Sequence, residues 1–276
     1  MQVQRALLSG DRLHLQHGPI DLIIGADGAC ALAFEAAEQR LSTVLVELMD
    51  EIDLLQRHDG PSPKGAIARK MWRAAQAHQG FVTPMAAVAG TVAEAVLQAM
   101  RSTTDFRRAY VNNGGDIALH LSHNATFDIA MSGLAGADLG KITLNSDSEV
   151  RGIATSGQGG RSLSFGIAES VTVLAKTASM ADIAATLIAG AVDVPDHPAI
   201  LRAPANQIRE GSDLGARAVV TQVGDLGAKD VSSALELGVQ RAKRMQQHGL
   251  IQAASLHLRG QSRQTEMNLE KVLEHA

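Results

Sequence analysis

Asp182 and Thr186 stand four positions apart in the run ASMADIAAT, residues 178–186, which holds no glycine or proline. In a helix that spacing stacks the two side chains on one face. The face then offers a carboxylate and a hydroxyl, two hard oxygen ligands of the kind Mg²⁺ takes. A solvated helix face can carry the same pair, so the neighbouring segments have to decide between the two.

Small and hydroxyl-bearing segments precede the pair. Asn113 leads into Gly114, Gly115 and Asp116, a turn signal between two β-patterned runs. Glycines there also let backbone approach a ligand. Further on, Thr155, Ser156 and Gly157 follow Ala154, then come Gln158 and two more glycines. The amides and hydroxyls of such a loop can hold phosphate oxygens, and Arg161 at its end can neutralise one. The loop is not GxGxxG and has no Walker lysine, and residues 136–141 miss the Walker spacing.

The order of these segments resembles the ApbE superfamily, whose characterised members transfer FMN from FAD onto protein threonines. In that superfamily a GGD turn, an ATSG loop, an SVTV strand and an ADALAT-type helix follow one another. Here the corresponding runs are 114–116, 154–157, 170–173 and 181–186, with upstream matches at 64–65 and 81–90 and a downstream one at 212–215. The resemblance covers nearly the whole chain and is to a cytoplasmic branch distinct from the characterised transferases. It implies that Asp182 and Thr186 bind the metal, with backbone carbonyls near Ala87 to Ala89 completing its shell. It also implies that Gly114, Gly115, Asp116, Thr155, Ser156, Gly157 and Arg161 line one ligand cleft on which the helix from Asp182 also converges, with Arg69 or Lys70 as weaker anion contacts. Mg and FAD or FMN are the cofactors so implied.

One segment departs from that pattern. The transferases carry His-x-x-Asp-Pro-x-Thr-Gly between the ATSG loop and the SVTV strand, whereas residues 158–169 read QGGRSLSFGIAE. Without that histidine and the DPxTG run, no catalytic residue is assigned and binding is better supported than transfer.

Other chemistries are poorly served. The His14/His17 and His120/His123 pairs lie in strand-like runs, where positions i and i+3 face opposite sides, so they read as hydrogen-bonded or surface histidines. No GxSxG appears. Cys30 is the only cysteine, which excludes intramolecular disulfides and cysteine-rich metal sites and reads as a small buried apolar residue. A net charge of −4 with both signs dispersed argues against a nucleic-acid surface. With one Trp, one Tyr and five Phe the chain has few base-stacking platforms. No apolar run approaches a membrane span and no leader or lipobox is visible, so a cytoplasmic location is expected.

The elements that must position these residues alternate in period. Strands are expected at 13–17, 20–24, 44–49, 109–112, 117–121, 127–132, 149–155, 217–223 and 251–258. Helices are expected at 29–42, 65–78, 85–100 and 231–248, besides the one carrying Asp182, which 164–175 leads into. The stretch 56–64 reads as loop, and the polar tail 260–276 as frayed or helical. The fold class is α+β, ApbE-like and T-fold-related, with β-sheets packed against helices. The 276 residues form a single ApbE-like domain or two intimately packed lobes.

Three functions remain open at this level. The first is metal-dependent binding of a flavin or related pyrophosphate-bearing small molecule, with a Mg-dependent transfer or hydrolysis if the chain is catalytic. The second is a pterin-binding enzyme or carrier in methanopterin-linked one-carbon metabolism. The third is a non-catalytic accessory protein, for which a homo-oligomer is expected.

Overall fold

A computed structural model describes residues 2–28, 30–132, 138–160 and 162–266. Arg161 and the tail beyond residue 266 lie outside the described residues. In chain order the elements are β1 (Gln4–Leu8), β2 (Arg12–His17), β3 (Ile20–Ala26), α1 (Ala31–Met49), α2 (Ile52–Leu55), α3 (Ala66–Gln76) and a 3₁₀ turn at Pro84–Ala87. Then follow α4 (Val88–Arg101), β4 (Arg108–Asn113), β5 (Asp116–Leu121), β6 (Thr126–Ser132), β7 (Asp138–Asn145), β8 (Gly152–Ser156), β9 (Ser170–Ala175) and α5 (Ala178–Ala191). The chain continues with β10 (Ile200–Pro204), α6 (Ala205–Ile208), β11 (Ala218–Val223), α7 (Ala228–Gln247), β12 (Ala253–Leu258) and β13 (Gln261–Gln264).

Nine strands form one sheet in the order β1-β2-β3-β4-β5-β8-β9-β12-β13, and every pairing in it is antiparallel. The strands alternate, so each face is set by residue parity. Val171, Val173 and Ala175 of β9 share a core with Ala181, Ala184, Ala185 and Ile188 of α5 and with α7. Leu13, Leu22 and Val111 pack with α1 and α4 in a second core, so the helices cover one face of the sheet. The β6–β7 ribbon packs Phe127, Ile129 and Ile142 against Leu119, Leu121 and Ile153 on the other.

The α+β architecture agrees with the expected class, while several expected elements are redrawn. Residues 44–49 are not a strand: α1 runs on to Met49 because Leu41, Val44 and Leu48 fall on one buried helical stripe. Arg40 supports the extension from the outside, donating to Glu47 at 2.6 Å. The tail forms β13 at its start, pairing with β12 from Leu258 opposite Gln261 to Ser255 opposite Gln264. Strands β1, β7 and β10 had no counterpart among the expected elements. Cys30 is half-buried rather than buried, its Sγ donating to Gly28 O at 3.0 Å, and burial raises its pKa.

Helices α4 and α5 meet backbone to backbone. A Cβ on Gly90 would collide with the Ala178 carbonyl, and one on Gly152 with the Thr177–Ala178 peptide. The predominantly small residues of both helices allow the approach, which brings the start of α4 beside the first turn of α5. At the end of α3, His78 is half-buried with Nε2 unpartnered, and burial with the nearby Arg241 charge lowers its pKa to about 4.

Two outcomes follow from this packing. Gly90→Ala should lower unfolding stability by about 3 kcal/mol, because the obstacle is backbone and cannot rotate away. Gly190→Ala, whose Cβ would lie 3.6 Å from Phe165 Cβ, should be neutral or slightly stabilising, both variants being read by urea titration. For His78, the unfolded chain takes up a proton near pH 6.5 and the folded chain resists until about pH 4. Stability is therefore full above pH 6.5 and falls as pH drops through that window. Unfolding free energies from urea titration at pH 7 and pH 5 should converge by about 1–2 kcal/mol in His78→Gln relative to wild type. An unchanged pH slope would remove the assignment.

Candidate functional site

Helix α5 starts at Thr177, whose hydroxyl accepts from Met180 N at 3.3 Å, and places Asp182 one turn in and Thr186 one turn further. The Asp182 carboxylate reaches across to α4, where Oδ2 accepts from Gly90 N at 2.9 Å and a second bond comes from the Ala89 amide. It thus satisfies amides that a helix start leaves open. Burial nevertheless raises its pKa to about 7, the two amides oppose the shift, and the Glu94 charge adds to it. Among the described residues no basic side chain forms an ion pair with Asp182. Lys70 pairs with Glu94 instead.

A cation would relieve that uncompensated charge, and this is how Asp182 fits a metal. Among the described residues no cluster of three or more His, Cys, Asp or Glu side chains is present to form an all-protein cage. The donor set suits only an ion such as Mg²⁺ that completes its shell with carbonyls, water and ligand phosphates. One of the expected carbonyls, that of Ala89, accepts from Asn113 Nδ2 at 3.1 Å.

Across the β4–β5 turn, Gly114 and Gly115 both have positive φ, 66° and 110°, as a tight two-residue hairpin demands. Asn112 Oδ1 accepts from Gly115 N at 2.8 Å. Asp116 is buried, and its Oδ1 accepts from Thr155 N at 3.3 Å. Thr155 Oγ1 in turn lies 3.0 Å from Thr172 Oγ1. Gly157, with φ 137°, sits where a Cβ would meet the Glu169 carbonyl at 2.6 Å.

The expected site residues therefore gather in two places. Gly114, Gly115, Thr155 and Ser156 line a cavity of about 380 Å³, together with Ile129 and Ile142 of the β6–β7 ribbon. The buried Ser170 Oγ, which has no partner, lines it too. Asp182 and Thr186 lie instead on the helical side of the sheet, and Thr186 lines a second cavity of about 300 Å³. Hydrogen bonds join the two groups: Asp182 to the start of α4, Ala89 to Asn113 beside the turn, and Asp116 to Thr155. Arg69 and Lys70 line neither cavity.

The cavity at Thr186 contains residues that spacing did not single out. Thr83 Oγ1 donates to Asp213 Oδ2, and both face the cavity with Thr186. Phe81 and Phe165 form its apolar walls, edge to face with centroids 6.2 Å apart, and the Arg217 guanidinium lies 3.4 Å from the Phe81 ring centroid. Arg241 and Arg244 of α7 bring positive charge; burial and the Arg244 charge lower the Arg241 pKa, and its Nη2 donates to Gln79 O at 2.6 Å. Three hydroxyl or carboxylate groups, two guanidiniums and two rings around one space suit an aromatic anion. The only advance signals were the 81–90 and 212–215 runs. An arginine pair at i and i+3 on an amphipathic helix otherwise reads as solvated surface.

The profile of the family described as "AbpE bacteria" matches residues 4–264, and the chain belongs to that family. A UPF0280 protein of Methanothermobacter thermautotrophicus is 34% identical over 65% of this chain and 67% of its own length. Another, from Methanococcus vannielii, is 45% identical over 42% of this chain and 48% of its own. The chain thus spans about half the length of that relative. The fold is that of the ApbE protein of Thermotoga maritima, with a TM-score of 0.50 at 11% identity, covering 96% of this chain and 97% of that one.

Asp116 is the testable link between turn and loop. Asp116→Ala should reduce stability by about 1–2 kcal/mol and speed hydrogen exchange of the Thr155 amide at least tenfold. Amides in the middle of α7 should keep their exchange rates. Unaltered exchange at Thr155 would mean that the bond does not hold the loop.

Proposed function

We propose that the chain binds a flavin nucleotide, or a closely related pyrophosphate-bearing aromatic ligand, together with Mg²⁺ at the helical side of the sheet. The observation that carries this reading is the Thr186 cavity, where Thr83, Asp213, Arg241, Arg244 and two phenylalanines surround one space. In this reading Arg241 and Arg244 hold phosphate oxygens and the phenylalanines receive part of a ring. The volume of about 300 Å³ takes a ring or a pyrophosphate and not a whole dinucleotide, so the remainder extends outward. Asp182 and Thr186 supply the metal ligands. Gly114, Gly115, Thr155 and Ser156 form a further ligand contact around the other cavity, with Asp116 and Gly157 shaping the turn and loop that carry them; Arg161 lies outside the described residues. Bound Mg²⁺ would polarise the phosphoanhydride as a Lewis acid.

Family membership supports the flavin, and the 158–169 segment argues against FMN transfer to a protein acceptor. A pterin-type ring is the second reading, since the same aromatic walls and guanidiniums would accept one. The absorption and fluorescence of whatever co-purifies separates the two.

Titration with FAD in Mg²⁺, followed by quenching of flavin fluorescence, tests the main reading. Asp182→Asn should remove the Mg²⁺-dependent part of the affinity, a loss of at least tenfold. Thr186→Val should lose less, about threefold, because a neutral ligand contributes less charge stabilisation. Arg244→Gln should weaken binding about tenfold with or without metal. Incubation with FAD, Mg²⁺ and a threonine-bearing acceptor should leave no covalent flavin on a denaturing gel. Equal affinity in wild type and all three variants would overturn the site, and a strong covalent band would overturn the exclusion of transfer.

A further inference from the structure

At the opposite end of α4 from Asp182, a cavity of about 480 Å³ opens between α4, β5 and the start of α5. Lys70, Glu94, Arg101, His120, Arg151 and Lys176 line it, four permanent cations against one carboxylate. Lys70 is neutralised by Glu94, and Lys176 by Glu149 at 3.1 Å. Arg101 and Arg151 are left, and among the described residues neither forms an ion pair with a carboxylate. An arginine in the last turn of a helix is commonplace, since it complements the helix dipole. The anchoring of a second guanidinium beside it is not.

Arg151 is half-buried and held by backbone carbonyls, donating from Nη1 to Ser148 O at 2.5 Å and Val150 O at 2.7 Å and from Nη2 to Ser146 O at 3.1 Å. These bonds fix the plane of the guanidinium without cancelling its charge. Arg101 lies close enough to lower the pKa of both Arg151 and His120, in addition to burial. Asp105 acts on His120 in the opposite sense, the weakest of the influences on that ring. The fold thus keeps two guanidiniums in one cavity at an electrostatic cost that a bound anion would relieve.

We propose that this cavity is a second ligand site, taking a multivalent oxyanion carried on a small organic body. Paired guanidiniums match two oxygens of a phosphate or carboxylate. The space exceeds that of a lone phosphate, and Leu97 and Ala118 give the body of the ligand an apolar floor. The site is on the same face as Asp182 but at the other end of α4, and it does not depend on the flavin reading.

Calorimetric titration of the full chain with inorganic pyrophosphate, in Mg²⁺-free buffer with chloride at matched ionic strength as reference, tests it. Wild type should show a saturable phase that Arg101→Gln weakens at least tenfold and Arg101→Glu abolishes. Arg101 is exposed, so neither variant should compromise folding. Arg244→Gln, at the Thr186 cavity, should leave that phase within twofold. A citrate arm reads the head group: equal binding supports an oxyanion site of either kind, and binding of pyrophosphate alone supports a phosphate site. No saturable phase above chloride would overturn the proposal, as would one that Arg244→Gln removes and Arg101→Gln leaves intact.

Discussion

The contact on which the site depends is the approach of the first turn of α4 to the first turn of α5. It exists because Gly90 has no side chain and Gly152 lets α5 lie down on β8 at the Thr177–Ala178 peptide. Once the two helix starts are that close, the open amides of α4 need an acceptor, and Asp182 is the side chain in reach. The carboxylate thereby acquires two conflicting roles. It satisfies the amides of one helix while remaining a desolvated charge without a cation, and burial dominates, raising its pKa to about 7. A side chain needed only for capping could be an asparagine with little loss. A cation would relieve a carboxylate in so costly a place, and the metal role proposed for Asp182 rests on that.

The same contact explains how turn, loop and helix communicate although they open to two faces of the sheet. Asn113 and Asp116 are register partners flanking the turn, so their side chains share a face. Asn113 binds the start of α4 and Asp116 binds the amide of Thr155, tying the turn both to the helices and to β8. Thr155 itself points to the opposite face, towards Thr172, because β8 alternates and Ala154 belongs to the α5 core. Motifs that are close along a sheet edge need not open into one cleft, since a single residue of pleat exchanges the two faces.

Sequence made helix α5 and the β4–β5 turn legible because both rest on local rules, helix periodicity and the demand of a tight turn for positive φ. Residues 44–49 misled because Val44 and Val46 favour strands locally. Burial of Leu41, Val44 and Leu48 on one stripe outweighed that preference. Strands β1 and β13 were hidden for the converse reason. Both are edges of the sheet, rich in polar or exposed residues, and are defined by the partner strand rather than by a hydrophobic pattern of their own. The Thr186 cavity was illegible for a third reason. Its parts come from five separated segments, around Phe81, Phe165, Thr186, Asp213 and Arg241, which tertiary packing brings together.

Binding and group transfer make different demands on the charges around a site. A group transfer needs a nucleophile and a proton acceptor aimed at the reacting atom, beyond whatever holds the phosphates. Among the described residues that line the Thr186 cavity the one carboxylate is Asp213, and it is already engaged as the acceptor of the Thr83 hydroxyl, while Asp182 on the same helix as Thr186 accepts from the start of α4. The remaining polar groups are hydroxyls and guanidiniums, which orient and neutralise an anion but do not take a proton at neutral pH. His78, on the Arg241 side of α3, stays neutral to about pH 4, but its Nε2 is sealed from solvent and does not line the cavity. On the proposed reading, the groups that line the Thr186 cavity serve to recognise a pyrophosphate-bearing ring.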